Sequence, residues 1–387
     1  MNDAPPKEFF VLYPPDAPPA PPDCWSWSSL ACWRRCPRQW WLLRSHYPNA
    51  PTPYPQPVFA ATIEGLLLHN AMERFAAHIT EQRDAGVTDY QAVRASFPVR
   101  RSMQQRLRSL LAQNDLPRAN PAQLLARVSV DACVNAFRPA AAKCMEEARS
   151  KSGAGGSPKA NALTGAEMWL SSKAPRLCGR IDYLHYGALT DFKTGDPKRE
   201  DANQVRFYAL LVWLATGTLP IALTLAYLRA DRLEPVDVPS VDEVQAMAAT
   251  IAMEIQAIED DISRASADAR PSVDNCPMCP VKQLCSQYWI ANETEPLRLS
   301  RGKQVLESTP QWMDLEVMAL PAQNASKSYI GEATIAQLGT IDLRIAAPHV
   351  LPNCSPTGAR LLNARVQARD GRWSVLATVG TEVFWIE

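Results

Sequence analysis

No stretch of about 18 consecutive apolar residues occurs in the 387-residue chain, so no membrane-spanning helix is expected. No basic-then-apolar segment opens the N-terminus, which predicts a cytoplasmic protein rather than a secreted one. Charge of neither sign dominates. The 40 Lys and Arg residues balance 40 Asp and Glu, so no global positive field advertises a nucleic-acid partner. A GxxxxGK[ST] phosphate loop is missing, and with it the expectation of a built-in ATP motor. The chain that remains is 47% hydrophobic, ample for a core and long enough for two or three domains.

The balanced charge is unevenly spread. Residues 25–60 carry Arg34, Arg35, Arg38 and Arg44 and no acid, and residues 91–127 carry seven arginines and one aspartate. Such segments suit a phosphate backbone or form an ordinary solvated helix face.

The stretch from Gly179 to Gly195, GRIDYLHYGALTDFKTG, predicts a β-hairpin. Its arms, Arg180–Tyr186 and Leu189–Lys193, are rich in β-branched and aromatic residues, and Gly187-Ala188 has the Gly-first form of a type II′ turn. That turn puts Asp182 opposite Lys193. Asp191 and Lys193 are two apart and share a face, as cross-strand partners do. Two carboxylates repel on one face, so the arrangement calls for a divalent cation, unless the hairpin is surface with an ordinary salt bridge. An Asp pair can hold Mg²⁺ beside a phosphate, and Lys can orient a water or neutralise developing charge. The following run, ANQVRFYALLVWLATG, predicts a helix with Gln204 and Tyr208 on one side and Gly217 as its stop.

Residues 1–24 form a Pro-rich arm, in which eight prolines favour extended polyproline II; the EFFVLY piece can add an edge strand. In the segment that follows, Ser28 or Ser29 can cap a helix whose apolar face is Leu30, Trp33 and Trp40 or Trp41. Pro37 marks a break or a new first turn. Five tryptophans (25, 27, 33, 40 and 41) predict burial against something large. Residues 61–79 predict an amphipathic helix; on it Gly65 allows close approach of another backbone or a ligand, and His69 is a metal-ligand candidate or a satisfied buried histidine. Two or three helices are expected over 90–150, broken near Pro98 and Pro117–Pro121, then a loop over 151–160. ALTGAEMWLSS, carrying Glu167, and PIALTLAYLRA predict strands that complete an α/β core with the hairpin.

Clustered cysteines in a cytosolic chain point to metal rather than disulfides. Cys276, Cys279 and Cys285 lie in CPMCPVKQLC, and a fourth ligand must come from elsewhere. Four thiolates fit an iron–sulfur cluster or structural zinc. The other cysteines, 24, 32, 133, 144, 178 and 354, are scattered and read as small core residues or plain thiols. Residues 295–387 lose helical periodicity and predict a small five-stranded, OB-like all-β domain. Its nine basic and nine acidic residues argue for docking over tracking a strand.

Four motifs occur in order: Gly65 to His69, Gly179 to Asp182, Asp191 to Lys193, and Gln204 to Tyr208. In this order the chain resembles the PD-(D/E)XK nuclease superfamily, in its RecB-like branch, over about residues 25–290. The resemblance implies a nuclease core, a mixed sheet flanked by helices, with a helical insertion over about 80–160, followed by the C-terminal β domain. It implies a metal-dependent deoxyribonuclease in which Asp182, Asp191, His69 and Glu167 hold Mg²⁺ or Mn²⁺. Lys193 then positions or helps deprotonate a water, and Gln204 and Tyr208 orient the lysine and a phosphate. The Cys-Pro-Arg-Gln-Trp element is similar to the start of iron–sulfur nucleases of AddB type. By that likeness Cys36 joins Cys276, Cys279 and Cys285 around a 4Fe-4S cluster. Implied partners are DNA and a helicase or other ATPase, in DNA repair and recombination, CRISPR adaptation or phage defence. The rival readings are an inactive nucleic-acid-binding scaffold and a zinc- or cluster-containing interaction module.

Overall fold

Six short strands build the sheet on which the charged motifs sit. In the structure, a computed structural model, the described residues are 8–387 apart from 88, 113–117, 119–120, 154–164, 186, 295–310, 336–337, 347–355 and 370. Strand β1 (Trp25–Ser26) precedes helices α1 (Trp27–Arg35), α2 (Pro37–Arg44) and α3 (Ala60–Asp84). Helices α4 (Tyr90–Ser96), α5 (Val99–Ala112), α6 (Pro121–Arg127) and α7 (Val130–Gly153) follow. Then come strands β2 (Gly165–Lys173), β3 (Arg176–His185) and β4 (Ala188–Lys193), helix α8 (Arg199–Thr216), strands β5 (Ala222–Tyr227) and β6 (Arg232–Val236), and helix α9 (Val241–Ser263). Helix α10 (Ser286–Thr294) leads to β7 (Gln311–Ala319), β8 (Tyr329–Ile335), β9 (Gly339–Ile345), β10 (Gly358–Arg369), β11 (Arg372–Leu376) and β12 (Glu382–Ile386). No helix among the described residues is long and apolar enough to cross a membrane.

The chain divides into two compact units, one of residues 22–28 and 57–258, the other of residues 1–21, 29–56 and 259–387. In the former, the sheet order is β1-β3-β4-β5-β6 with β2 also paired to β3. The sheet is mixed: β4 and β5 are parallel, joined through α8, while β2/β3, β3/β4 and β5/β6 are antiparallel. Helix α3 packs its Ile63, Leu67, Leu68 and Phe75 with α7 residues Val134 and Phe137 and sheet residue Phe192 in one buried cluster. Each such fully buried side chain contributes about 1.5–3 kcal/mol of transfer free energy. Gly217 ends α8 in the left-handed conformation, φ 72°, which costs glycine least.

Gly179 shows why a glycine stands three residues before Asp182. A Cβ there would lie 2.9 Å from Leu211 Cδ1 and 3.0 Å from Tyr208 Cε1, so α8 rests directly on the β3 backbone. The same helix carries Gln204.

Three expectations are corrected in this unit. The hairpin pairs Tyr183 with Thr190, Leu184 with Leu189 and His185 with Ala188. Continuing that register sets Asp182 opposite Asp191, not Lys193. The turn glycine, Gly187 at φ 81°, directly precedes Ala188 instead of opening the turn, which shifts the register by two residues and leaves the faces unchanged. Cys24 and Cys178 are not plain thiols but form a disulfide across 154 residues, beside the parallel pairing of Trp25 with Leu177 and Ser26 with Cys178. Ser28 and Ser29 lie inside α1 and do not cap it; the Ser29 hydroxyl accepts from Trp40 Nε1 at 2.7 Å. Most of the loop expected over 151–160 lies outside the described residues.

In the other unit, β7, β8 and β9 form an antiparallel meander, and β10 returns beside β7. Strand β11 closes the ring, antiparallel to β10 and parallel to β9. This is a small five-stranded barrel of OB connectivity. The stretch RWSVLATVGTEVFWI, residues 372–386, has the pattern of one last strand but forms two, since β12 separates and adds to β10. Trp385 fills the barrel interior, while Phe384 beside it packs outside with Cys276, Tyr288, Trp289 and Leu362. Alternation along a strand explains the split. The EFFVLY run begins as a short 3₁₀ turn, Glu8–Phe10, and then bridges β12, Val11 to Trp385. Proline does start α2, with Pro37 in its first turn. Pro352-Asn353, a turn signal between strand-like runs in the sequence, lies outside the described residues.

Asp314 of β7 holds the cysteine-bearing segment to the barrel. Its Oδ2 accepts from Tyr288 Oη at 2.6 Å and pairs with Lys282, while its Oδ1 accepts from the Asn363 amide at 2.8 Å. Asp314 is 4% exposed, so removing it leaves a buried ammonium unpaired.

Two stability outcomes follow from this packing. Gly179→Ala should lower stability by about 1–3 kcal/mol through overpacking. Gly195→Ala, where a Cβ meets nothing within 4 Å, should leave the denaturant midpoint unchanged; equal midpoints for both variants would contradict the close helix contact. Asp314→Ala should cost about 3–5 kcal/mol, the penalty for breaking a buried ion pair, and a wild-type midpoint for it would contradict that pair.

Candidate active site

Helix α3 comes close to the end of β4 at Gly65, where a Cβ would lie 3.2 Å from Thr194 Oγ1. One turn later the same face presents His69. Its Nδ1 is 3.5 Å from Glu167 Oε1 and 3.5 Å from Asp182 Oδ1. The β2–β3 ladder pairs Ala166 with Tyr183 and Met168 with Ile181, which sets Glu167 across from Asp182. Glu167 adopts φ 50°, a left-handed conformation that costs a non-glycine residue about 1–3 kcal/mol and that the surrounding structure must hold. One ligand atom from each of His69, Glu167 and Asp182 lies within 4.8 Å of the others.

Beside this group runs a second set. Lys193 Nζ lies 2.7 Å from Asp191 Oδ2 and donates to Gln204 Oε1 at 2.7 Å. Gln204 Nε2 in turn donates to Tyr208 Oη at 2.8 Å. The i, i+4 spacing on α8 makes that last contact possible. Asp182 Oδ2 accepts from the Phe192 amide at 2.7 Å, which ties β3 to β4 between the two aspartates. An open cavity of about 330 Å³ is lined by His69, Asp182, Asp191, Lys193 and Gln204 together with the Thr194–Lys198 loop and Asp201.

The electrostatics follow from crowding. Asp191 is 1% exposed, and burial, then the charge of Asp182, push its pKa up to about 7 against the pull of Lys193. Burial by itself would depress His69, but hydrogen bonding to Asp182 and Glu167 outweighs it and holds the imidazole up to about 10. Burial raises Tyr208 above its usual value, so its hydroxyl keeps its proton. Asp191 Oδ2 is buried without a hydrogen-bond partner. Its charge is met instead by the Lys193 ammonium at 2.7 Å. Three crowded carboxylates beside a histidine, with a single lysine against one of them, are a donor set suited to a hard divalent cation.

All seven residues singled out from the sequence, His69, Glu167, Asp182, Asp191, Lys193, Gln204 and Tyr208, therefore fall in one unit and around one neighbourhood. Sequence reasoning missed Thr194, Asp196, Lys198 and Asp201 of the cavity wall; the polar turn DPKRED after Gly195 was the signal available. It also missed Arg180, whose Nη1 is 3.7 Å from Glu167 Oε2.

The four cysteines lie in the other unit. Arg270 donates to the Arg34 carbonyl and Asn275 Nδ2 to the Arg35 carbonyl, which draws the Cys276 segment to Cys36. Burial raises the thiols of Cys276 and Cys285 and pushes Cys279 up to about 12, with the charges of the neighbouring cysteines adding to it. No three of these sulfurs lie mutually within 4.8 Å.

A search of curated proteins finds no match to the chain. The family description of the PD-(D/E)XK nuclease superfamily, whose nucleases typically use divalent metals, matches residues 24–286. That span takes in β1 to the last clustered cysteine and every residue of the carboxylate pocket, and the chain belongs to the PD-(D/E)XK nuclease superfamily.

Proposed function

We propose that this nuclease is a RecB-like deoxyribonuclease that hydrolyses phosphodiester bonds with Mg²⁺ or Mn²⁺. The observation that carries the reading is the convergence of His69, Glu167 and Asp182 beside the Asp191–Lys193–Gln204–Tyr208 chain, with His69, Asp182, Asp191, Lys193 and Gln204 lining one open cavity. His69, Glu167, Asp182 and Asp191 would hold the ion. When bound, the cation supplies Lewis-acid polarisation of the phosphate and lowers the pKa of a coordinated water.

The remaining chemistry belongs to the chain. Asp191 and Gln204 pin Lys193 Nζ from two sides, so its ammonium points at a fixed spot in the pocket. There it orients the attacking water and neutralises charge developing on the phosphate oxygens, a preorganised electrostatic role. Gln204 spends its amide donor on Tyr208 Oη, so the tyrosine proton stays available for a phosphate oxygen.

Cys36, Cys276, Cys279 and Cys285 would carry a 4Fe-4S cluster as a staple. Their donor type fits, since four thiolates suit an iron–sulfur cluster or structural zinc, and the likeness of the Cys36 element to iron–sulfur nucleases favours the cluster. Ligation would add folding free energy to the unit that contains them. A cytoplasmic setting in DNA repair, CRISPR adaptation or phage defence, beside a helicase or ATPase partner, is consistent with a nuclease that carries no P-loop motif of its own.

Asp182→Ala, Asp191→Ala and Lys193→Ala should each lower Mg²⁺- or Mn²⁺-dependent DNA cleavage by about a hundredfold or more, with the folded circular dichroism spectrum retained. Wild-type cleavage rates in the Asp182→Ala and Lys193→Ala proteins would overturn the assignment. Protein purified without air should be brown and contain about four iron and four sulfide per chain, and Cys36→Ala or Cys276→Ala should lose the colour. Stoichiometric zinc in place of iron would refute the cluster.

A further inference from the structure

Strand β2 carries an exposed tryptophan next to the carboxylate pocket. Trp169 is 58% exposed, and burial of so large an apolar ring is the rule in folded chains. It stands two residues after Glu167, one same-face step of about 6.8 Å along a strand. Its cross-strand partner is Arg180, whose side chain is 63% exposed and reaches Glu167 only at 3.7 Å. That loose contact leaves most of the guanidinium donors for another partner. Arg180 is itself two residues before Asp182. Farther along the same row, Ser171 and Lys173 are exposed. From Trp169 onward the row is aromatic, polar and basic, and its only acid, Glu167, sits at the pocket end.

We infer that Trp169 stacks on a base of an unpaired nucleic-acid strand while Arg180 contacts an adjoining phosphate, feeding that strand toward Asp182; the inference rests on the hydrolase reading above. An exposed indole face beside an exposed cation is the chemistry of single-strand platforms, because every base has a π face to offer and the phosphates supply the charge. Within a duplex, bases are already stacked on each other and present no face to the ring. The platform therefore favours single-stranded substrate at this pocket, independently of any metal.

The test is equilibrium binding of the full chain, in EDTA, to a fluorescein-labelled oligothymidylate and to a blunt duplex of the same length, across salt. Trp169→Ala should weaken oligothymidylate binding about fivefold or more, a loss of about 1 kcal/mol, and duplex binding less. Trp169→Phe should restore most of the affinity, which a merely damaged strand would not allow. Arg180→Ala should flatten the single-strand salt slope by about 0.7. Equal loss on both ligands, or wild-type oligothymidylate affinity in Trp169→Ala, would overturn the platform; the second result would assign the exposed indole to a protein contact. Absence of metal-dependent cleavage by the wild-type chain would overturn the hydrolase reading, while a Trp169-dependent preference measured in EDTA would still support the platform.

Discussion

Three carboxylates cannot share a half-dry pocket without positive charge to hold them there. Glu167, Asp182 and Asp191 face this constraint, and the protein meets it from two helices that are far apart in sequence. Helix α3 brings His69 to within 3.5 Å of two of them, and α8 fixes Lys193 on the third through Gln204. Each helix is seated by a glycine, Gly65 against Thr194 and Gly179 against Tyr208 and Leu211. The glycines thus position the charges, although neither carries a functional group.

Much of the fold was legible because its signals are local. The 3.6-residue periodicity of α3 and the Gln204–Tyr208 spacing on α8 are read within one helix. The alternating strands of the C-terminal region are read within single runs. The PD-(D/E)XK motifs are likewise short, each spanning five residues or fewer, so their order along the chain points to one pocket before any coordinates. Helix α3 begins and ends a few residues outside the predicted 61–79, since propensity marks the middle of a helix better than its frayed ends.

What was not legible depends on geometry between distant residues. The disulfide joins positions 154 apart, and no spacing rule pairs two cysteines among ten. The hairpin register turned on which residues close the loop, and a shift of two left every face assignment intact while changing which residue lies opposite Asp182. The left-handed φ of Glu167 has no sequence signal at all, because glutamate is not a residue that favours it. In the barrel, Asp314 reads as one acid in an alternating strand. Only the fold reveals that it gathers Tyr288, Lys282 and Asn363.

The claim on which everything else depends is that the carboxylate pocket is a divalent-cation site. Its most direct test is a crystal soaked in Mn²⁺ and measured for anomalous scattering. A peak at coordination distance, about 2.0–2.2 Å for an octahedral cation of this size, from the carboxylates of Asp182 and Asp191, with His69 or Glu167 completing the shell, is the predicted result. Mn²⁺ bound elsewhere, with no peak in the pocket and DNA cleavage undiminished in EDTA, would contradict the account.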